Sequence, residues 1–128
     1  MSEHNLSAVA LDLMTATERM NAQIEEVEEL FRGLKLGVSA SVPISSEEGL
    51  GFGKLDGSWR LMHVTYTGGG EHRQPLANAS RVQRVRVLGA LSALFDELIL
   101  EVKRQTIEVE AAAEAANKFV LKLKGIQR

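Results

Sequence analysis

Two long apolar stripes constrain the fold of this chain more than any other feature of its sequence. From Leu6 to Leu34, apolar side chains recur at alternating steps of three and four residues, a heptad pattern typical of a helix buried along one face. The pattern predicts a helix over about residues 5–34. A second stripe runs from Leu88 to Leu123, and Pro75 is placed like the first residue of a helix. We therefore predict a second helix over about residues 75–124.

The two stripes differ in length, and the difference predicts self-association. An unbroken second helix would be roughly 70 Å long, whereas the first could cover only about 30 of its residues. Uncovered apolar stripes mark interfaces, and a second copy is the simplest cover, so we expect a homodimer with coiled-coil-like helix packing. A kink near Gly89 or within residues 111–116 would instead fold the end back on its own chain. The predicted dimer seam consists of Val102, Val109, Ala112, Ala116, Phe119 and Leu123.

Between the helices, over about residues 37–67, the apolar period changes to two and predicts a three-stranded antiparallel meander. Pro43 cannot donate to a ladder, so the first strand should lie at an edge or end early. Asp56-Gly57 predicts a two-residue hairpin turn, which sets the register to 54 with 59, 52 with 61 and 50 with 63. Gly51 and Gly53 should thin one face so that a helix or a partner chain approaches closely. Residues 67–72 are expected to form a flexible loop.

The predicted fold is therefore α+β, in the order helix, three-stranded antiparallel meander, long helix. A chain of 128 residues and 14.0 kDa suits one domain, and we assign residues 1–128 to it. The chain has no cysteine, which excludes disulfides, thiolate nucleophiles and Cys-containing zinc sites. The longest uncharged run spans eleven residues, 36–46, and the amino terminus carries an acid where a signal peptide would carry a base. We expect a cytoplasmic protein without a membrane segment.

Catalytic and cofactor motifs are weak in this sequence. The run Gly49-Leu-Gly-Phe-Gly-Lys matches neither a Walker loop nor a dinucleotide fingerprint, and a hairpin rather than a helix follows it. No Gly-x-Ser-x-Gly motif occurs, and no two histidines stand at metal-ligand spacing on one helix. We predict no metal, no cofactor and no enzymatic activity. Catalysis would require the fold to gather His63, Tyr66 or His72 with a carboxylate in a cleft.

Charge is segregated along the chain although its formal net value is only −2. Residues 1–31 hold seven acids and one base, whereas residues 54–86 are basic. A basic surface could bind nucleic acid or an acidic protein, because Arg forks hold phosphate and carboxylate well. The default explanation is pairing inside the molecule, of Arg81, Arg84 and Arg86 with the acids Glu25, Glu26, Glu28 and Glu29 of the first helix. The candidate interaction patch consists of Arg60, His72, Arg73, Arg81, Arg84 and Arg86.

The run Gly-Phe-Gly-Lys-Leu-Asp-Gly-Ser-Trp-Arg-Leu, followed by Pro75-Leu and by Ala79-Ser80-Arg81 before a helix, resembles small uncharacterised proteins of bacteria and their phages. The resemblance covers about residues 49–100. It implies a helix, a short antiparallel sheet and a long helix, together with a bacterial or mobile-element origin, and it implies no activity. We expect a homodimeric, non-catalytic adaptor or inhibitor that presents the sheet and the Arg-rich start of the second helix to another macromolecule. The alternative is a nucleic-acid-binding accessory protein.

Overall fold

The computed structural model describes residues 3–127 and confirms an α+β architecture with an antiparallel sheet between two long helices. The sheet has four strands in the order β1-β2-β3-β4, so it is a meander with one strand more than predicted. The elements are α1 (Glu3–Gly33), β1 (Ala40–Pro43), β2 (Glu48–Leu55), β3 (Ser58–Thr67), β4 (Gly70–Pro75), a 3₁₀ turn (Leu76–Asn78), α2 (Arg81–Leu88) and α3 (Leu91–Ile126).

The central hairpin has the predicted turn and register. Asp56 and Gly57 both have positive φ, 50° and 85°, as a two-residue hairpin turn requires. Across the pair, residue 54 opposes 59, 52 opposes 61 and 50 opposes 63. Pro43 ends β1 at an edge of the sheet, as its missing N–H predicts. The turn dipeptide therefore determined which side chains share each face of the sheet.

The predicted loop at residues 67–72 is wrong, because the chain forms a second tight hairpin there. Gly68 and Gly69 adopt positive φ, 37° and 95°, and return the chain as β4 along β3. Pro75 does not begin a helix; it ends β4 opposite Met62. A proline at the end of an edge strand costs no ladder bond, which is why this position tolerates it.

The predicted single helix over about residues 75–124 is interrupted near Gly89, one of the two places where the alternative put a kink, but the end of α3 stays exposed instead of folding back on its own chain. Ser80 caps α2: its hydroxyl accepts from the Gln83 N–H while the Gln83 side chain accepts from the Ser80 N–H. α2 ends after eight residues at Gly89, a poor helix former, and α3 starts at Leu91. The break turns the chain so that α3 packs on β1 and β2.

The core lies between one face of the sheet, the carboxyl-terminal part of α1 and the amino-terminal part of α3. Ile24 of α1, Phe52 and Leu61 of the sheet, and Leu94 and Leu98 of α3 are all buried in it. The indole of Trp59 stacks on the Phe52 ring at 5.8 Å. We call this sheet, with α2 and the helical residues that touch it, the head. None of the helices in residues 3–127 combines the length and apolarity needed to cross a bilayer.

The second face of the sheet is covered by side chains of the sheet itself. Met62 is fully buried, and its Cε lies 3.4 Å and 3.2 Å from where a Cβ would stand on Gly51 and Gly53. A Cβ on Gly49 would stand 2.9 Å from the Tyr66 hydroxyl. The glycines thus make room for side chains of the neighbouring strand rather than for a helix, which was one of the two predicted occupants.

Candidate interaction surfaces

The apolar stripe of α1 is buried at one end and exposed at the other. Ile24 is buried in the head, and Met20, Val27 and Phe31 pack beside it. Towards the amino terminus the same stripe leaves the head, and Leu13 is 48% exposed. We call residues 3–19 the α1 arm. Its exposed large apolar side chains are Leu6, Val9, Leu11, Leu13 and Met14.

The stripe of α3 behaves in the same way at the opposite end of its helix. Leu94 and Leu98 are buried, and Val102 is partly buried against the head. From residue 106 to residue 127 every side chain is exposed, and we call residues 106–126 the α3 arm. The predicted seam residues Val109, Ala112, Ala116, Phe119 and Leu123 all lie on this arm and are exposed.

The two arms do not cover each other within one molecule. α1 and α3 meet where the Phe31 and Phe95 rings stack at 6.4 Å, and within residues 3–127 the helices do not pack along each other. The amphipathic arms, about 26 Å and 31 Å long, therefore project their apolar faces into solvent. Isolated helices of this length are marginal in water, so packing against another surface would stabilise both arms.

α1 is attached to the head by a carboxylate that completes the edge of β3. β4 ends opposite Met62, and beyond it the Leu61 N–H donates to Glu28 Oε2 at 2.8 Å. The charge of Glu28, which is buried, is balanced by Arg32 Nη2 at 2.7 Å and by Arg60 Nε at 3.5 Å. Arg32 Nε also donates to the Trp59 carbonyl at 3.0 Å. Helix side chains thus satisfy backbone groups that a longer β4 would have paired.

α2 is attached by a second buried carboxylate, Glu48 on β2. Arg86 Nε donates to Glu48 Oε1, and Arg86 Nη2 lies 3.5 Å from Oε2. The fully buried His63 ring lies with Nε2 2.8 Å from Glu48 Oε2 and Nδ1 3.3 Å from Gln74 Nε2. One neutral tautomer satisfies both contacts, with Nε2–H donating to the carboxylate and Nδ1 accepting from the amide. The hydrogen bonds from Arg86 and then His63 lower the pKa of Glu48 below its ordinary value of 4.5.

This carboxylate borders an open groove of about 880 Å³ between the strand ends and α2. The groove is lined by Tyr66, Thr65 and Gln83 as well as by Glu48 and Arg86. His63 is not among the lining residues, and both of its ring nitrogens are engaged inside the protein. The groove therefore brings Tyr66 together with the Glu48 carboxylate, one of the combinations that catalysis would require, whereas His63 contacts the same carboxylate from the buried side.

The six residues of the predicted interaction patch are distributed over separate parts of the head. Arg60 lies against Glu28 of α1, and Arg73 on β4 pairs with Glu71 at 2.7 Å. Arg84 Nη1 donates to the carbonyls of residues 77 and 79, at 3.2 Å and 3.0 Å, ahead of α2. His72 on β4 and Arg81 at the start of α2 are exposed.

Of the α1 acids expected to pair with the arginines, Glu28 lies beside Arg60. The other ion pairs of the patch use acids outside α1. Arg86 pairs with Glu48, and Arg73 with Glu71, neither of which the sequence singled out. Glu25, Glu26 and Glu29 are exposed on α1. Within residues 3–127, no group of three or more His, Asp or Glu side chains is placed to hold a metal ion.

Neither buried carboxylate was recognised from the sequence, although both carry a readable signal. Glu48 alternates in phase with Leu50 and Phe52, which places it on the packed face of β2. Glu28 stands four residues after Ile24 and three before Phe31, on the buried face of α1. An acid in the phase of the core predicts a buried carboxylate with partners.

No protein-family model, curated protein or solved structure matches this chain.

Proposed function

We propose that this protein is a non-catalytic interaction module that acts as a homodimer, held together by its two helical arms. The observation that carries the proposal is the continuity of each apolar stripe, which is buried where it crosses the head and uncovered beyond it. Val102 is partly buried on the head, whereas Phe119 on the same stripe is 60% exposed. Apolar faces of this length on a small domain are typical of interfaces rather than of free surface.

A second copy is the partner that best fits these arms. Each chain provides two uncovered stripes of similar length, and a two-fold axis presents the same pair from the other chain. Four helical segments with apolar faces can then surround one shared core, as in helical bundles. The heads remain outside that core and are available to a further partner. We propose that β4 with His72 and the start of α2 with Arg81 form the presented surface, for an acidic macromolecule.

The mass in solution tests the homodimer. Multi-angle light scattering at micromolar concentration should give about twice the chain mass of 14.0 kDa. A mass of one chain across that concentration range would overturn the proposal, since the arms would then be uncovered in solution. A heterogeneous series of larger species would overturn the closed two-fold arrangement.

Nucleic-acid binding is the competing function, and a gel shift separates it from the proposal. Neutralised phosphates release counterions, so a nucleic-acid complex would weaken steeply as salt rises. Arg81 is the exposed patch residue to substitute, because Arg84 and Arg86 already donate inside the protein. A shift at low salt that Arg81→Ala abolishes would replace the acidic-macromolecule proposal. We expect no shift with either duplex or single-stranded DNA.

A further inference from the structure

We infer that the basic tip of the α3 arm of one copy docks in an acidic groove at the base of the α1 arm of the other copy. This inference rests on the proposed homodimer and specifies which helices meet across it. The tip, residues 115–126, carries Lys118, Lys122 and Lys124 and no acid. The groove, of about 410 Å³, lies where α1 enters the head and includes Glu18 and Glu25.

The groove at the base of α1 has both the charge and the surface to receive this tip. Glu18 and Glu25 are seven residues apart, so they share one helix face, and both are exposed. Ala22 lies between them and Ile24 beside them, which leaves a low apolar floor. The third acid of the groove, Glu28, is already balanced by Arg32 and Arg60 and adds no free charge.

The tip of α3 is complementary to this groove both in charge and in apolar surface. Lys118 and Lys122 are four residues apart and share a face, and the exposed Phe119 lies beside that face. Leu123 and Ile126, 44% and 73% exposed, extend the apolar surface to the end of the helix. A helix end with lysines beside an aromatic ring suits an acidic groove with an apolar floor.

The lengths of the two arms agree with this arrangement. If the heads lie at opposite ends of the dimer, the α3 arm of one copy runs parallel to the α1 arm of the other, starting from its tip at residue 3. The α3 arm has 21 residues, 106–126, so Lys122 is level with residue 19 of the partner's α1, next to Glu18, and the last helical residue, 126, is level with residue 23. Both levels fall within the groove, which extends along α1 from Glu18 to Glu28. The opposite orientation would place the lysines beside the tip of α1, where acids are fewer.

A charge exchange between two variants tests the inference. One variant carries Lys118→Glu and Lys122→Glu, and the other carries Glu18→Lys and Glu25→Lys. Each homodimer then has like charges at both contacts and should dissociate about tenfold more readily than the wild type. The mixed dimer has opposite charges at both contacts and should form in preference to either homodimer. Native mass spectrometry with one variant labelled with ¹⁵N resolves the three species.

The matched control is a variant with Glu110→Lys and Glu114→Lys, which reverses two exposed acids of the α3 arm itself. Mixed with the Lys118→Glu, Lys122→Glu variant, it should give no preference for the mixed dimer. A preference there would show that α3 pairs with α3 and would overturn the inference, as would the absence of any preference in the first mixture. A monomeric wild type would instead overturn the proposed homodimer, so the two failures are distinguishable.

A cross-link gives a second test that does not depend on the charge variants. The chain contains no cysteine, so Ala22→Cys in one copy and Ile126→Cys in another introduce a single thiol each. In a redox buffer the mixture should form the mixed disulfide, because residue 22 lines the groove and residue 126 ends the tip. A disulfide between two Ile126→Cys copies in place of the mixed species would overturn the inference.

Discussion

Replacing Val109 by glutamate should disrupt the dimer while leaving the single chain folded. Full burial of a valine side chain contributes about 1.5–3 kcal/mol. Val109 is 63% exposed in the single chain, so it has most of that burial left to gain in the dimer. Covering this exposed part contributes about 1 kcal/mol in each copy and about 2 kcal/mol in the dimer. Losing it weakens association by about 30-fold, and desolvation of the two new carboxylates weakens it further.

Ile107→Glu is the matched control for this substitution. Ile107 is 69% exposed on the same arm, but two residues along the helix place it on the opposite face from Val109. Sedimentation equilibrium of both variants should show a large rise in the dissociation constant for Val109→Glu and little change for Ile107→Glu. Fluorescence of Trp59, which stacks on Phe52 in the head and is the single tryptophan of the chain, controls for folding of the head. Equal dissociation constants for the two variants would refute the assignment of the seam to the heptad stripe.

Two further predictions concern the buried carboxylates of the head. Glu28→Ala leaves the Leu61 N–H buried without an acceptor and should lower the free energy of unfolding by about 1–3 kcal/mol in urea titrations; Glu29→Ala, one residue along and exposed, should change it by less than about 0.5 kcal/mol. Glu48 has a lowered pKa in the folded state, so its stabilising effect is complete above its unfolded value near 4.5 and is lost as pH falls through the folded value. The difference in melting temperature between wild type and Glu48→Gln should therefore be largest near neutral pH and shrink in acid; a difference that is constant with pH would contradict the ion pair with Arg86.

The fold was predictable from the sequence where a local signal determines the structure. Asp56-Gly57 requires positive φ at both positions, and this requirement fixed the pairing of β2 with β3 residue by residue. The stripe of α1 predicted its boundaries closely, since the observed helix spans Glu3–Gly33. Such signals need no knowledge of the rest of the chain.

The remainder depended on contacts that no local pattern displays. β4 is polar, Gly-Glu-His-Arg-Gln-Pro, and is a strand because the free edge of β3 lies beside it. The start of α2 depends on the reciprocal hydrogen bonds of Ser80 and Gln83, which override the preference of Pro75 for a first helical position.

The candidate interaction surfaces, too, were predictable only where a local pattern of the sequence determines them. The seam residues follow from heptad spacing, and the structure leaves them uncovered along the α3 arm. The partners of the arginines could not be predicted, because Glu48 reaches Arg86 across 38 positions of sequence and only through the packed fold. The charged residues that sequence reading assigned to one patch therefore belong to several unrelated contacts.

Hydrogen–deuterium exchange as a function of protein concentration tests most directly whether the arms complete their packing in a second copy. At protein concentrations well above the dissociation constant of the dimer, the backbone amides of residues 3–19 and 106–126 should be protected from exchange. On dilution that protection should disappear from both arms together while the head stays protected. Such coupling is expected because the large apolar side chains of both arms are exposed in the single chain. Protection of the arms that does not change with concentration, or loss of protection in one arm alone, would contradict the account.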